Sequence, residues 1–185
     1  ETLERTAALL WLGNRDAPVP DRRTALPIVR PAQPLALPAL ITLLAQEDDT
    51  AAYAQDAGRV AAVGARILRL LTAGLIGTSG DHAAGAIAAA WGVDVQLIDM
   101  ALILCADHEL NASTFAVRVA ASAGATPYAA VIAGLATLSG ARHGGGVERA
   151  LALLREAGDP ETARAVVTAR LRRGDPLPGF GHRLY

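Results

Sequence analysis

The chain has 185 residues, 52% of them apolar and 19% charged, proportions that exclude a disordered polar chain and suit a packed globule of about one domain or slightly more. Seventeen basic and eighteen acidic residues leave a formal charge of −1, which supplies no field for gripping a nucleic-acid backbone. Every basic residue is arginine, so neither Schiff-base chemistry nor a P-loop lysine is available within this chain.

With aromatics at 4% and alanine abundant, closely packed helices are favoured over strands, and the expected fold is all-α. Thr2 to Leu12 spaces Leu3, Ala7, Leu10 and Trp11 as a first helix, stopped by Gly13-Asn14. Pro18 to Pro38 holds six of the ten prolines and reads as an extended connector or surface loop whose Leu26, Ile28, Val29, Leu35 and Leu37 can pack. A short apolar run follows from Leu40 to Leu44. Thr50 is the expected cap of a long helix from Ala51 to about Leu71, with Arg59, Arg66 and Arg69 on its polar face.

Asp81 is expected to cap Ala83 to Trp91, and after Gly92 Asp94 caps Val95 to Cys105; both helices read as short and largely buried. Val119 to Ala141 carries no charge and is long enough to span a bilayer, but Ser122, Ser139 and the glycines dilute it. Thr126-Pro127 cuts it into two helices, the second running Pro127 to Leu138, so no membrane span is expected. Asp159-Pro160-Glu161 opens a last helix to Arg173, whose Arg164, Arg170, Arg172 and Arg173 read either as a solvated face or as cations for phosphate groups, and the tail runs Gly174 to Tyr185.

Cys105 is alone, so no disulfide framework or thiolate metal site forms within one chain, and a reducing, cytoplasmic setting is expected. Glu1-Thr2-Leu3-Glu4-Arg5 places acids where an export signal needs a basic region. As single residues, Cys105 reads as a small buried hydrophobe, Trp11 and Trp91 as core, and His82 as a surface residue at a helix start.

Three of the four histidines lie in unusual company: His108 in Asp107-His108-Glu109-Leu110-Asn111, His143 ahead of three glycines, and His182 in Gly179-Phe180-Gly181-His182-Arg183. Glycine permits positive φ and close approach of a ligand, so a histidine flanked by glycine is placed where substrate reaches the ring. A metal site needs ligands at spacings such as His-x-x-x-His on one helix face, and no such pair occurs, so no metal is expected. Arg142-His143-Gly144-Gly145-Gly146 is similar to the oxyanion loop of esterases, but no G-x-S-x-G elbow follows it.

Three ordered segments closely resemble motifs of the citrate synthase family, which includes citrate and 2-methylcitrate synthases: Asp107 to Phe115 with Arg118-Val119, Gly140 to Gly145, and Pro178 to Tyr185. The resemblance implies a mostly helical homodimer that condenses oxaloacetate with acetyl-CoA, as in the tricarboxylic acid cycle, giving citrate and CoA with no further cofactor. It implies a large helical domain over 1–143 and the start of a small domain over 144–185. By motif position His108 and Asn111 match oxaloacetate-binding residues, His143 the residue steadying the enol of acetyl-CoA, and His182 the one polarising the oxaloacetate carbonyl.

Pro178, Gly179, Phe180 and Gly181 match the segment that meets coenzyme A. Where the family has Ala-Asn after His-Gly-Gly, this chain has Gly146-Val147. The resemblance also implies that the chain is partial, the family's start lying upstream of Glu1 and its catalytic aspartate and carboxylate-binding arginines beyond Tyr185. A non-catalytic binding or regulatory paralogue and a dimerising helical scaffold are the alternative readings.

Overall fold

A computed structural model describes residues 1–19, 36–47, 51–78, 80, 82–107 and 109–181, and among these the regular structure is entirely helical. The elements are α1 (Leu3–Leu12), α2 (Leu37–Gln46), α3 (Ala57–Ile76), α4 (Ala83–Trp91), α5 (Val95–Ala106), α6 (Ala112–Ser122), α7 (Pro127–Leu138), α8 (Gly145–Ala157) and α9 (Pro160–Arg173), with a 3₁₀ turn at Ala51–Tyr53. They divide into two compact units, Glu1–Thr137 and Leu138–Tyr185. No helix among the described residues is long and apolar enough to cross a membrane.

Short polar side chains start most of these helices by accepting backbone N–H groups that have no partner within the helix. The Thr2 hydroxyl accepts from Arg5 N at 3.3 Å, Asp56 from Arg59 N at 3.0 Å and Asp94 from Gln96 N at 2.7 Å. Thr126-Pro127 opens α7 as expected, with Ala129 N donating to Thr126 Oγ1 at 3.2 Å. Left-handed glycines close α1, α3, α4 and α9 at Gly13, Gly77, Gly92 and Gly174.

Several local expectations are corrected. The long helix begins at Ala57, not Ala51, because Asp56 supplies the cap and the 3₁₀ turn precedes it; Thr50 lies outside the described residues. Leu37 and Pro38, expected in the connector, begin the α2 helix, Pro38 being tolerated in the first turn where no N–H partner exists. The residue at the cap of α4 is His82, which makes no side-chain cap bond, and Asp81 falls outside the described residues. Instead Glu4 of α1 accepts the Ala83 N–H at 3.0 Å, capping α4 from another helix, while Leu3 N donates to Asp99 of α5 at 2.9 Å.

In the first unit α3 is central, with α1, α2 and α4 packed on it and α5 against α1 and α4. Its core joins Ile41, Leu44, Ala52, Val63, Ile67, Leu70 and Tyr128, backed by Val131, Ile132 and Leu135 of α7. Each large side chain here contributes roughly 1.5–3 kcal/mol through burial. Arg66, expected on the polar face of the helix, is 3% exposed. Its Nη1 donates to Tyr128 Oη at 3.3 Å and its Nη2 lies 3.6 Å from Glu47 Oε2, partners that the spacing within α3 does not reveal.

The pair α4 and α5 is less buried than expected. No residue of α5 is fully buried, Cys105 is exposed, and Trp91 is 55% exposed, so neither belongs to the core of the described residues. In the second unit α8 packs on α9. Arg170 on α9 pairs with Glu156 of α8, and Arg173 with Asp175 at 2.8 Å, so two of the four α9 arginines are in ion pairs.

Close approach of helices sets the first prediction. A Cβ on Gly134 of α7 would lie 2.5 Å from Cγ2 of Val117 on α6, so Gly134→Ala is expected to cost about 1–3 kcal/mol by overpacking. Denaturant titration of the Gly134→Ala, Val117→Ala and double variants checks it: the double loses less than the two singles added.

The second concerns acid. Asp159 accepts N–H bonds from Thr162 at 2.8 Å and Glu161 at 2.9 Å and the Thr162 hydroxyl at 3.0 Å. The Thr162 backbone bond is the largest of the causes that hold its carboxyl below the ordinary value of 3.8. A depressed carboxylate stabilises the fold above its unfolded value and stops doing so as pH falls through the lower folded value. Amide exchange along α9 should therefore accelerate as pH drops below about 4 beyond the intrinsic trend, and Asp159→Asn should abolish that extra limb.

Candidate active site

The first motif lies at the junction of α5 and α6. Asp107 ends α5 with extended backbone, and Asn111 begins α6 as its cap, its Oδ1 accepting Thr114 N at 2.9 Å and the Ser113 hydroxyl at 2.8 Å. Between them Glu109 holds φ +55, the sole non-glycine residue with positive φ among those described. A glutamate in the left-handed region is uncommon, and such strain concentrates where the chain is shaped for function. His108 lies outside the described residues.

The second motif is the turn joining α7 to α8. His143 N donates to Gly140 O at 2.9 Å and Gly144 N to Leu138 O at 2.9 Å, folding residues 138–144 back on themselves. The three glycines are not the open loop that sequence suggests. Gly144 has φ −61 and Gly145 and Gly146 begin α8, so none of the three uses positive φ. Gly144 is required for space instead, because a Cβ there would collide with the carbonyl oxygen of Leu138. The Gly145, Gly146 and Val147 N–H groups donate to the carbonyls of Gly140, His143 and Gly144 at 3.3, 3.0 and 3.0 Å, so the first turn of α8 is satisfied by the turn it follows. His143 itself is half-buried.

The third motif does use glycine's freedom. Phe180 N donates to Leu177 O at 3.2 Å, with Pro178 and Gly179 at the turn's centre and Gly179 at φ +88, the arrangement of a type II turn. Gly181 follows at φ +76. A Cβ on Gly179 would stand 3.1 Å from Cβ of Ala150, so the loop lies against the N-terminal half of α8. Thus the His143 turn and the Pro178–Gly181 loop share α8 as their support. His182 lies outside the described residues.

Two concavities open on the first unit: one of about 460 Å³ beside Trp11, Arg15 and Arg69, and an apolar one of about 560 Å³ beside Trp11, Val60 and Val131. Neither is lined by a motif residue. Among the described residues no cluster of three His, Cys, Asp or Glu side chains is arranged for a metal ion.

Comparison with known proteins places this geometry in a family. Residues 36–185 match the profile described as citrate synthase, C-terminal domain. The chain belongs to the citrate synthase family. It is 41% identical over 93 residues to citrate synthase 2 of Bacillus subtilis strain 168, a match spanning 50% of this chain and 25% of that protein. It is 43% identical over 90 residues to the citrate synthase of Synechocystis sp. PCC 6803, spanning 49% and 23%.

Among solved structures it resembles the citrate synthase of the archaeon Thermoplasma acidophilum in ternary complex with carboxymethyl coenzyme A and oxaloacetate, with a TM-score of 0.69 and 25% identity. That match covers 100% of this chain and 58% of the other. The Thermotoga maritima citrate synthase shares the fold at a TM-score of 0.64 and 21% identity, with the same coverage. The chain therefore spans little more than half the length of these structures, and its matched stretch about a quarter of the curated relatives.

Within this citrate synthase-family chain, sequence reasoning passed over α8 and, on it, Arg149, whose Nη1 donates to Ala141 O at 2.8 Å across the His143 turn. A signal was present. The helical neighbours of Arg149 are Gly145, Gly146, Ala152 and Leu153, none of them an acid, so an intrahelical ion pair was never available to it.

Proposed function

We propose that this chain contributes to a citrate synthase active site, condensing acetyl-CoA with oxaloacetate to give citrate and CoA. The observation that carries the reading is the gathering of two motif segments, the His143 turn and the Pro178–Gly181 loop, on one helix of a citrate synthase-family chain. The large-domain part is read as 1–143 and the start of the small domain as 144–185.

Carbon–carbon bond formation here needs a base to take a proton from the thioester methyl group and a donor for the oxygen on which negative charge develops. In this reading a neutral His143 donates a ring N–H to that enolate oxygen. His182 polarises the ketone of oxaloacetate, the enolate carbon attacks the ketone carbon, and water then cleaves the thioester to release citrate and CoA. His108 and Asn111 hold oxaloacetate; since Asn111 Oδ1 is committed to the cap of α6, its Nδ2 is the group that meets a carboxylate. The backbone of Pro178, Gly179, Phe180 and Gly181 meets coenzyme A, and Gly179 and Gly181 present it without side chains. The proton-abstracting aspartate and the carboxylate-binding arginines are read as lying beyond Tyr185.

Partnership follows from an exposed apolar stripe. Leu97, Met100 and Leu104 lie at helical spacing on α5 and Phe115 and Val119 on α6, all more than half exposed. Exposed apolar side chains of this kind fit a subunit interface, and a second copy of this chain is the proposed occupant. The setting is read as cytoplasmic.

Two measurements test these statements. In the intact protein, oxaloacetate is expected to bind in isothermal titration and CoA to be released from acetyl-CoA, with His143→Ala lowering kcat by about 10²–10³. Absence of oxaloacetate binding ends the substrate assignment, whereas binding without turnover favours the non-catalytic paralogue. In sedimentation velocity the protein is expected as a dimer that Met100→Glu with Leu104→Glu converts to monomer; an unchanged mass removes the α5 face from the interface.

A further inference from the structure

The turn before α8 is short, its backbone bonds among the described residues lie within 138–147, and the side chain of Arg149 reaches it from α8. Its Nη1 donates to Ala141 O at 2.8 Å, eight residues upstream and two residues before His143. The guanidinium runs back along α8 toward the turn, its Nη2 lying 3.7 Å from where a Cβ on Gly146 would stand, which is ordinary contact. No carboxylate pairs with Arg149 among the described residues, and the positions three and four away are glycine, alanine and leucine. The cation is thus aimed at a carbonyl in the His143 turn rather than at a neighbouring charge, and a bond from a charged donor is stronger than one from a neutral group.

We infer that Arg149 is a positioning residue: it ties the first turns of α8 to Ala141 and so fixes the backbone from which the His143 ring projects. This rests on the reading of His143 as a catalytic donor, because a donor displaced by about 1 Å can cost a hundredfold in rate. Arg149 itself touches no substrate in this scheme. A residue that merely stabilised α8 would act on the helix as a whole; one that ties the turn acts on residues 140–144 and on the chemical step.

The experiment uses the intact protein with Arg149→Ala and Arg149→Lys, and reads steady-state kinetics alongside amide exchange. The expected result for Arg149→Ala is a kcat about ten- to a hundredfold lower with KM for oxaloacetate little changed, and a faster exchange of the His143 amide while that of Leu153 is unaltered. Arg149→Lys restores part of both, since an ammonium can still donate to the carbonyl. If the unsubstituted protein shows no turnover, the condensing reading fails, and the role of Arg149 stands or falls on the His143 exchange rate. The positioning role is overturned if exchange at His143 is unchanged, if exchange rises equally along all of α8, or if an active protein keeps its kcat without the guanidinium.

Discussion

Close approach of helix backbones is the constraint from which the first unit follows. Only two phenylalanines, three tyrosines and two tryptophans are available, so bulk side chains cannot fill the space between helices. The helices draw together instead. Trp11 of α1 lies over Gly64 of α3, where a Cβ would stand 3.0 Å from its ring, and Ala61, Ala62, Ala73, Ala84 and Ala88 are buried along the same elements. Dispersion falls steeply with distance, so small residues at contact gain through proximity what larger ones gain through area. Such packing leaves little slack, and a polar group caught inside has to be matched in place. Arg66 illustrates this, held between Tyr128 and Glu47 from two other elements.

The same closeness explains why helices finish one another's termini. Glu4 sits near enough to α4 to accept the Ala83 N–H, and Asp99 near enough to α1 to accept that of Leu3. These bonds join residues 79 and 96 positions apart, so α1, α4 and α5 are fixed relative to one another by directional contacts as well as apolar ones. Directional bonds between helix ends set register, which non-directional burial leaves loose.

Legibility in the sequence followed the range of the interaction that decides each feature. Local punctuation was readable: Gly13, Gly92, Asp94, Thr126-Pro127 and Asp159-Pro160 mark helix ends through bonds spanning a few residues. The boundary at Asp56 was missed because Thr50 is an equally good cap by composition, and only the preceding 3₁₀ turn separates them. The burial of Arg66 is not legible in the sequence, because its Tyr128 partner lies 62 residues away. Cys105 and Trp91 were read as core because α4 and α5 are apolar, although exposure of an apolar helix is set by what covers it, not by its letters. The motif segments are visible as letters, whereas the turn that supports His143 is not, since spacing does not reveal which carbonyl an arginine reaches.

The glycines around the motifs divide into two physical uses that look identical in sequence. At Gly179 and Gly181 the backbone has positive φ, and any side chain is strained there however much room surrounds it. At Gly144 the φ is ordinary and the requirement is volume, the Leu138 carbonyl occupying the place of a side chain. The first kind shapes a loop whose exposed backbone is available to a ligand; the second pulls the end of α7 against the start of α8 and leaves the intervening residues no alternative path. A histidine beside the second kind is therefore aimed by the turn rather than freed by it. That distinction argues against reading a glycine-flanked histidine as mobile: in this chain the turn that Gly144 permits holds the backbone beside His143.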